Sequence, residues 1–180
     1  FALMTEGVGA AAMMEVPIVI VNVQRAGPST GVPTKTEQGD LWQVLGASQG
    51  DFPKLIIAPS SPLDAFQTIP EVFNLADKYQ LPAIILSDLL ISDETSTIDP
   101  KLLDMHPVID RGELITEAGE EAGNYERYKF TDSGISPRAL PGIPGYEHVV
   151  STDEHMPDGV LISDEFTHPH KRRAMLEKRQ

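Results

Sequence analysis

The sequence predicts an α/β fold in which helices cover a parallel sheet. Three short apolar runs rich in β-branched residues predict strands, over residues 16–23, 54–58 and 81–87. Runs of this kind are typical of strands that are buried on both faces. Apolar residues at helical spacing predict helices around and between the strands, over residues 1–15, 41–47 and 62–79. Helices that alternate with buried strands indicate a parallel sheet with right-handed crossovers.

The predicted sheet is small for an independent domain. Three strands are fewer than the roughly four to six of a usual sheet, so we expect the missing strands upstream of Phe1. The chain begins Phe1-Ala2-Leu3 without an initiator methionine, and its first predicted helix has no N-cap. We therefore expect an interior piece of a longer protein, whose sites are incomplete.

The character of the chain changes after residue 97, which predicts two regions, residues 1–97 and 98–180. Between residues 99 and 146, glycine, proline and acidic residues are frequent and little periodicity remains. We expect an ordered connector toward the next domain, with a short hairpin within residues 108–116. A disordered linker is the alternative. Scattered aromatic and aliphatic side chains argue against it, because water would surround them in a disordered chain.

Charge and composition exclude several classes of function. The chain holds 14 basic and 27 acidic residues, a net charge of -13, which disfavours binding to the phosphates of nucleic acids. No apolar run approaches the roughly 18 residues of a membrane span, and there are no cysteines for disulfides, zinc or iron–sulfur clusters. We expect a soluble, cytoplasmic protein without nucleic-acid or membrane partners. The basic C-terminal tail predicts a helix with a solvated or partner-facing surface.

The loop after the first predicted strand carries the strongest binding signal. Ligands of an open parallel sheet bind outside the carboxyl ends of its strands, and Arg25 follows such an end. Its guanidinium group matches a carboxylate or a phosphate with two parallel hydrogen bonds. Gly27 and Gly31 allow a close approach of the backbone, and Ser29 and Thr30 add hydroxyl donors. These five residues predict an anion-binding site without a nucleophile or a base.

The same pattern also has a purely structural interpretation. In that interpretation Arg25 pairs with a neighbouring carboxylate, and the glycines only serve turns. The loop lacks the terminal Gly-Lys-Ser/Thr of a P-loop and the G-x-G-x-x-G of a dinucleotide site. The residues alone therefore indicate an anion site on an α/β domain and leave the ligand open.

Histidine-containing segments near the C-terminus offer two further candidates. The triplet Asp153-Glu154-His155 fits a wall of an active site, a contact with a partner subunit, or a hydrogen-bonded turn. The other candidate is a metal cluster formed by His155, Asp164, His168 and His170. Because the spacing of these residues matches no standard zinc pattern, we predict no metal site.

A family resemblance begins in the loop that contains Arg25. The segment VNVQRAGPSTGVPTKTEQGDL, residues 21–41, resembles the signature of the alpha subunit of 2-oxoacid:ferredoxin oxidoreductases of the 2-oxoglutarate type. Similar blocks follow in the family's order: FNLADKYQLPAIILSD at 73–88, YKFTDSGISPRALPG at 128–142, STDEHMPDG at 151–159 and KRRAMLEKR at 171–179. The blocks span nearly the whole chain, so the resemblance is specific.

The resemblance implies the later half of a thiamine diphosphate-binding pyrimidine domain, followed by the connector. The family decarboxylates a 2-oxoacid oxidatively, reduces ferredoxin and forms an acyl-CoA. Arg25, in the QR-x-GPSTG motif, is then expected to bind a substrate carboxylate, with the other four loop residues around it. The family's Tyr-Pro-Ile-Thr-Pro motif and the glutamate that activates the cofactor are absent, and both would precede Phe1.

The resemblance also implies partners and a division of cofactors between subunits. It implies a beta subunit that shares thiamine diphosphate and holds magnesium and an iron–sulfur cluster. Ferredoxin, the 2-oxoacid and coenzyme A are the other expected partners. We expect the isolated chain to be inactive. The alternative function is a non-catalytic anion-binding or assembly module with the same fold.

Overall fold

The computed structural model describes residues 1–162 and 169–180. The helices are α1 (Thr5–Met13), α2 (Leu41–Leu45), α3 (Pro62–Tyr79), α4 (Leu89–Asp93) and α5 (Pro169–Arg179), with short 3-10 helices at Ala2–Met4 and Pro100–Leu102. The strands are β1 (Ile18–Gln24), β2 (Leu55–Ile57), β3 (Pro82–Asp88), β4 (Leu114–Ile115) and β5 (Arg138–Ala139). Strands β1, β3 and β2 form a parallel sheet in that order, which confirms the predicted α/β fold. Within the described residues, no helix is long and apolar enough to cross a membrane.

Strand β3 lies at the centre of this sheet. All of its residues are buried, and it pairs with β1 on one edge and with β2 on the other. Burial on both faces, predicted from the apolar run, is confirmed for β3. The same prediction is wrong for β1, where Val21 is 56% and Val23 is 44% exposed. Alternate residues of a strand point to opposite faces, and the described residues leave one face uncovered at this end of β1.

Two apolar cores lie on the two faces of the sheet. On one face α1 and α2 pack against β1 and β3, through Val8, Ile20, Val44, Ile84 and Leu86. On the other face α3 packs against the intervening residues of β3, through Val72, Ala76, Ala83 and Ile85. Burial of each larger aliphatic side chain contributes about 1.5–3 kcal/mol. Helices on both faces thus fix the sheet, and with it the carboxyl ends of β1 and β3.

Helix α3 begins and ends where the sequence predicts. Ser61 Oγ accepts a hydrogen bond from the backbone N–H of Asp64 at 3.1 Å, and Pro62 occupies the first helical position. After Tyr79 the backbone of Gln80 turns into the left-handed region, at φ 53°, and ends the helix. Local capping signals therefore set both ends of this helix.

The region after α4 has little regular structure but packs against α3. Arg111 Nε lies 2.8 Å from one carboxylate oxygen of Asp77, and Arg138 Nη2 lies 2.6 Å from the other. Burial alone would raise the pKa of Asp77, but the two guanidinium groups lower it below its usual value. Further along, Tyr128 is fully buried. These contacts favour the ordered connector over the disordered linker.

The predicted hairpin within residues 108–116 is wrong. Strand β4 pairs in parallel with β5, and the register joins Leu114 to Arg138 and Ile115 to Ala139. A parallel pair needs a long connection between its strands, whereas the hairpin was predicted from a short local segment. The pairing is a tertiary contact that the local sequence does not predict.

Helix α5 packs against the start of β1 through buried charges. Lys178 Nζ, on a side chain that is 1% exposed, donates to both carboxylate oxygens of Glu15 at 2.8 Å. Arg127 Nη2 donates to the backbone carbonyl of Glu15 at 2.6 Å, and His155 Nε2 lies 3.0 Å from the carbonyl oxygen of Met13. We call Glu15, Arg127, His155 and Lys178 the amino-end cluster.

The prediction of a solvated or partner-facing surface for the basic tail is wrong for two of its residues. Lys178 is buried against Glu15, and Arg179 Nη2 donates to Glu154 at 2.7 Å. Arg172 remains exposed on the outer surface of α5. The acidic partners come from α1's end and from the connector, so the composition of the tail alone could not identify them.

Candidate functional site

The predicted anion site lies at the carboxyl edge of the sheet. Residues 25–40, which we call the Arg25 loop, connect the end of β1 to α2. Arg25 is exposed, and within the described residues it makes no ion pair or hydrogen bond. The register of β1 on β3 places Gln24 opposite Asp88, so the loop leaves the sheet beside the end of β3. The interpretation in which Arg25 pairs with a neighbouring carboxylate is therefore not what the described residues show.

The backbone of the Arg25 loop forms a compact turn that depends on glycine. The N–H of Val32 donates to the carbonyl of Ala26 at 3.0 Å, and the N–H of Ala26 donates to the carbonyl of Lys35 at 3.3 Å. Gly31 has φ 56°, and a Cβ added there would lie 1.7 Å from the carbonyl oxygen of Ala26. A side chain at this position would therefore open the turn.

The five predicted site residues share this turn. Ser29, Thr30 and Gly27 lie on its exposed part, with Arg25 at its start. Gly27 has open space around its Cβ position, unlike Gly31. The arrangement offers a permanent cation beside exposed hydroxyl groups. Their role as ligands of a substrate stays a prediction.

Two polar side chains of β1 hold the far end of the loop. Asn22 Nδ2 donates to Asp40 Oδ2 at 2.9 Å, and the backbone N–H of Asp40 donates to Gln24 Oε1 at 3.1 Å. Both Asn22 and Gln24 are buried. A buried polar group needs a hydrogen-bond partner, and here the partner is the loop itself.

The end of β3 holds the same loop from a second side. Gln38 Nε2 donates to Asp88 Oδ2 at 2.7 Å, and the N–H of Leu90 donates to Thr36 Oγ1 at 3.1 Å. The other carboxylate oxygen of Asp88 accepts from the N–H of Ile91 at 2.8 Å and caps α4. The hydrogen bond from Ile91, followed by that from Gln38, lowers the pKa of Asp88 below its usual value.

Sequence reasoning missed these anchoring residues. Asn22 and Gln24 interrupt an otherwise apolar run, and Asp88 ends another. Polar residues at the carboxyl end of a buried strand are the signal that could have identified them, because buried polar groups must be satisfied. The partners Gln38 and Asp40 carry no comparable signal, since both lie in a long polar loop.

The other candidates lie away from this edge. His155 is fully buried, and its Nδ1 lies 3.1 Å from the carbonyl oxygen of Met156. Glu154 accepts from Arg179, and the backbone N–H of Asp153 donates to Ser151 Oγ at 3.1 Å, so the triplet makes contacts within the fold. Asp164 and His168 lie outside the described residues. Among the residues that are described, no group of three or more His, Cys, Asp or Glu is placed to hold a metal ion.

The chain matches a family model along most of its length. The model, described as pyruvate flavodoxin/ferredoxin oxidoreductase, thiamine diP-bdg, matches residues 1–172. A solved structure of 2-oxoglutarate:ferredoxin oxidoreductase from Magnetococcus marinus, with 2-oxoglutarate, coenzyme A and succinyl-CoA bound, is similar to this chain with a TM-score of 0.80 and 35% identity. The similarity covers 99% of this chain and 30% of that one.

Curated relatives agree with the family model. The alpha subunit of 2-oxoacid:ferredoxin oxidoreductase 1 from Sulfurisphaera tokodaii is 40% identical over 99% of this chain and 27% of its own length. The 2-oxoglutarate oxidoreductase subunit KorA from Mycobacterium tuberculosis is 37% identical over 82% of this chain and 22% of its own length. This chain thus spans about a quarter of the length of these relatives. It belongs to the pyruvate flavodoxin/ferredoxin oxidoreductase family, in the part described as thiamine diphosphate-binding.

Proposed function

We propose that this chain is part of the alpha subunit of a 2-oxoacid:ferredoxin oxidoreductase, and that it binds the substrate's carboxylate. The names of its relatives support this class of enzyme, and the KorA relatives support 2-oxoglutarate as the 2-oxoacid. The similar structure from Magnetococcus marinus has 2-oxoglutarate, coenzyme A and succinyl-CoA bound. The reaction is the oxidative decarboxylation of the 2-oxoacid to an acyl-CoA, with ferredoxin as the electron acceptor.

The free guanidinium group of Arg25 is the observation that carries the proposal. A cation at the carboxyl edge of a parallel sheet, with no partner in the part of the chain that the structure describes, is available to an anionic ligand. Planar guanidinium and planar carboxylate match through two parallel hydrogen bonds. Exposed hydroxyl groups at Ser29 and Thr30 add neutral donors beside it. In decarboxylation, a bound carboxylate orients the substrate while charge develops on the reacting carbon.

The described residues fit only part of a thiamine diphosphate site. Two carboxylates at the carboxyl edge are engaged, Asp40 by Asn22 and Asp88 by Gln38. Among the described residues, no group of three or more His, Cys, Asp or Glu side chains could hold a metal ion. We assign the diphosphate, magnesium and an iron–sulfur cluster to a beta subunit. In this proposal the residues of this chain orient the substrate.

The two regions of the chain have different places in this proposal. Residues 1–97 form the later half of the pyrimidine-binding domain, and residues 98–180 form the connector toward the next domain. The beta subunit, ferredoxin, the 2-oxoacid and coenzyme A are the partners. The contacts of Arg111 and Arg138 with Asp77 support a connector that is attached to the first region rather than separate from it.

Substitution of Arg25 in the assembled complex tests the proposal. R25A removes one charge-assisted pair, which is worth about 1.5–3 kcal/mol. We expect kcat/KM for 2-oxoglutarate to fall roughly tenfold to a hundredfold, mainly through KM. R25K keeps the charge without the planar fork, so its kcat/KM should lie between that of the parent and that of R25A. Steady-state ferredoxin reduction at varied 2-oxoglutarate measures both.

The same variants separate the enzyme from the alternative function. The exposed Arg25 has no partner among the described residues, so R25A should change the free energy of unfolding by less than about 0.5 kcal/mol. Unchanged kinetics in R25A would exclude Arg25 from the substrate site. A complex without 2-oxoacid-dependent ferredoxin reduction would favour the non-catalytic anion-binding module.

A further inference from the structure

Asp88 and Gln38 form a link between the sheet and the loop that carries Arg25. Asp88 is buried at the carboxyl end of β3, and its Oδ2 accepts from Gln38 Nε2 at 2.7 Å. Neither residue is in the predicted site; Asp88 is buried, whereas Gln38 lies in the exposed loop. The link is short and includes an ionised acceptor, which makes it about twice as strong as a neutral hydrogen bond.

The Arg25 loop needs such links because it has almost no regular structure of its own. Its turn closes on itself through Ala26 and Val32, which fixes its shape but not its position on the sheet. Its position is fixed by side-chain attachments to both strands, among them Asp40 to Asn22 of β1 and Gln38 to Asp88 of β3. Strands β1 and β3 are hydrogen-bonded neighbours, so both attachments start from one rigid support.

Asp88 serves two backbone segments at the same time. One carboxylate oxygen caps α4 through the N–H of Ile91, at 2.8 Å, and the other holds Gln38. Thr36 adds a parallel link, because its Oγ1 accepts from the N–H of Leu90. A carboxylate with both oxygens engaged is held in one orientation, and this orientation fixes the position of the loop that is bonded to it.

We propose that Asp88, acting through Gln38, is a positioning residue that holds Arg25 where it binds the substrate carboxylate. The inference rests on the proposed function of Arg25 and adds the element that sets its geometry. A displacement of about 1 Å at a binding group is enough to weaken binding substantially. Asp88 itself touches no substrate in this proposal.

A charge-swap pair tests the link in the assembled complex. Q38E places a carboxylate against the carboxylate of Asp88 and should break the link by repulsion. We expect KM for 2-oxoglutarate to rise about tenfold with kcat changed less, and amide hydrogen exchange within residues 25–40 to accelerate. In the double variant Q38E/D88N the carboxylate at position 38 accepts from the new amide, whose oxygen still accepts from Ile91. Both KM and exchange should return close to the parent values.

A matched control separates the link from a general effect of charge. Gln67 on α3 is exposed and bonds the carbonyl of Leu102 at 3.3 Å, so Q67E makes the same substitution away from the loop. It should leave KM and exchange in residues 25–40 unchanged. An equal KM rise in Q67E, or no rescue by the double variant, would overturn the proposal.

The readouts distinguish failure of this inference from failure of the proposed function. Unchanged exchange and unchanged KM in Q38E would show that the link does not position the loop. Faster exchange with unchanged KM would also overturn the inference. The kinetics of R25A then decide whether the proposed function fails as well. A KM rise in R25A would leave the proposed function intact, whereas unchanged kinetics in R25A would reject that function too.

Discussion

At the amino end of β1 the cation of Lys178 is buried and paired with Glu15, whereas at the carboxyl end the cation of Arg25 is exposed and has no partner among the described residues. The amino-end cluster also engages Arg127, whose Nη2 donates to the carbonyl of Glu15. Its His155 stacks on Tyr128, with ring centroids 3.9 Å apart. The strand thus separates charges that join parts of the fold from a charge that is available to a ligand.

The contrast between the buried and the exposed cation shows how to interpret a cation in this fold. A buried ion pair has already lost its hydration, so removal of one partner leaves an uncompensated charge. An exposed cation loses little when it is removed, and it can still exchange water for an anion. Lys178 and Arg25 are both basic residues in the sequence, and only their surroundings in the fold distinguish them. Substitutions at the amino end should therefore mainly lower the stability of the fold. Substitutions at the carboxyl end should mainly lower the affinity for the substrate.

The largest expected effect is on stability, at the amino end. K178M removes the cation that both carboxylate oxygens of Glu15 contact, on a carboxylate that is only 10% exposed. We expect the free energy of unfolding to fall by about 3–5 kcal/mol, measured by urea unfolding. The double variant E15Q/K178M replaces both charges and should recover most of the loss.

A second ion pair on α5 is the matched control for this substitution. Arg173 Nε lies 2.8 Å from Glu177, but both side chains are largely exposed. R173M should lower the free energy of unfolding by less than about 1 kcal/mol. Equal losses in K178M and R173M would contradict the contrast between buried and exposed charge.

The next effect concerns the turn at the carboxyl end. G31A places a Cβ against the carbonyl oxygen of Ala26 and forces a side chain to φ 56°, which costs about 1–2 kcal/mol before the clash. The turn should open and displace Arg25, so kcat/KM for 2-oxoglutarate should fall roughly tenfold. Steady-state kinetics of the complex measure this.

Gly39 supplies the control in the same loop. Its Cβ position has no atom within 4 Å, and its φ is not in the left-handed region. G39A should leave kcat/KM within about threefold of the parent. If G39A and G31A were equally active, the turn geometry at Gly31 would have no bearing on binding.

The sequence predicted the elements with local signals and missed those that depend on distant partners. Helix α3 has a serine cap and a proline at its start, and its bounds were predicted correctly. The apolar run of β1 could not reveal that Val21 and Val23 are exposed, since periodicity does not show which elements cover the faces of a strand. The pairing of β4 with β5 joins segments far apart in sequence.

The candidate site divides in the same way. The position of Arg25 after a strand was enough to predict a cation at the ligand edge of the sheet, but not whether a neighbouring carboxylate pairs with it. The links of Gln38 to Asp88 and of Asn22 to Asp40 were not predicted, because each joins a loop residue to a strand residue. Likewise, nothing local in the basic tail identifies Glu15 as the partner of Lys178.

The smallest expected effect is a pH dependence that belongs to the carboxyl end. The hydrogen bonds from Ile91 and Gln38 hold the pKa of Asp88 below its usual value in the folded state. A group whose pKa is lowered in the folded state stabilises that state fully above its unfolded pKa, near about 4. This contribution is lost as the pH falls through the folded pKa.

D88N keeps the cap acceptor but does not titrate. The difference in free energy of unfolding between parent and D88N, measured by urea unfolding at a series of pH values, should therefore be constant from about pH 7 to 5. It should shrink at lower pH. A difference that stayed constant down to the acid limit would show that the pKa of Asp88 is not lowered in the folded state and that its ionisation does not stabilise the fold.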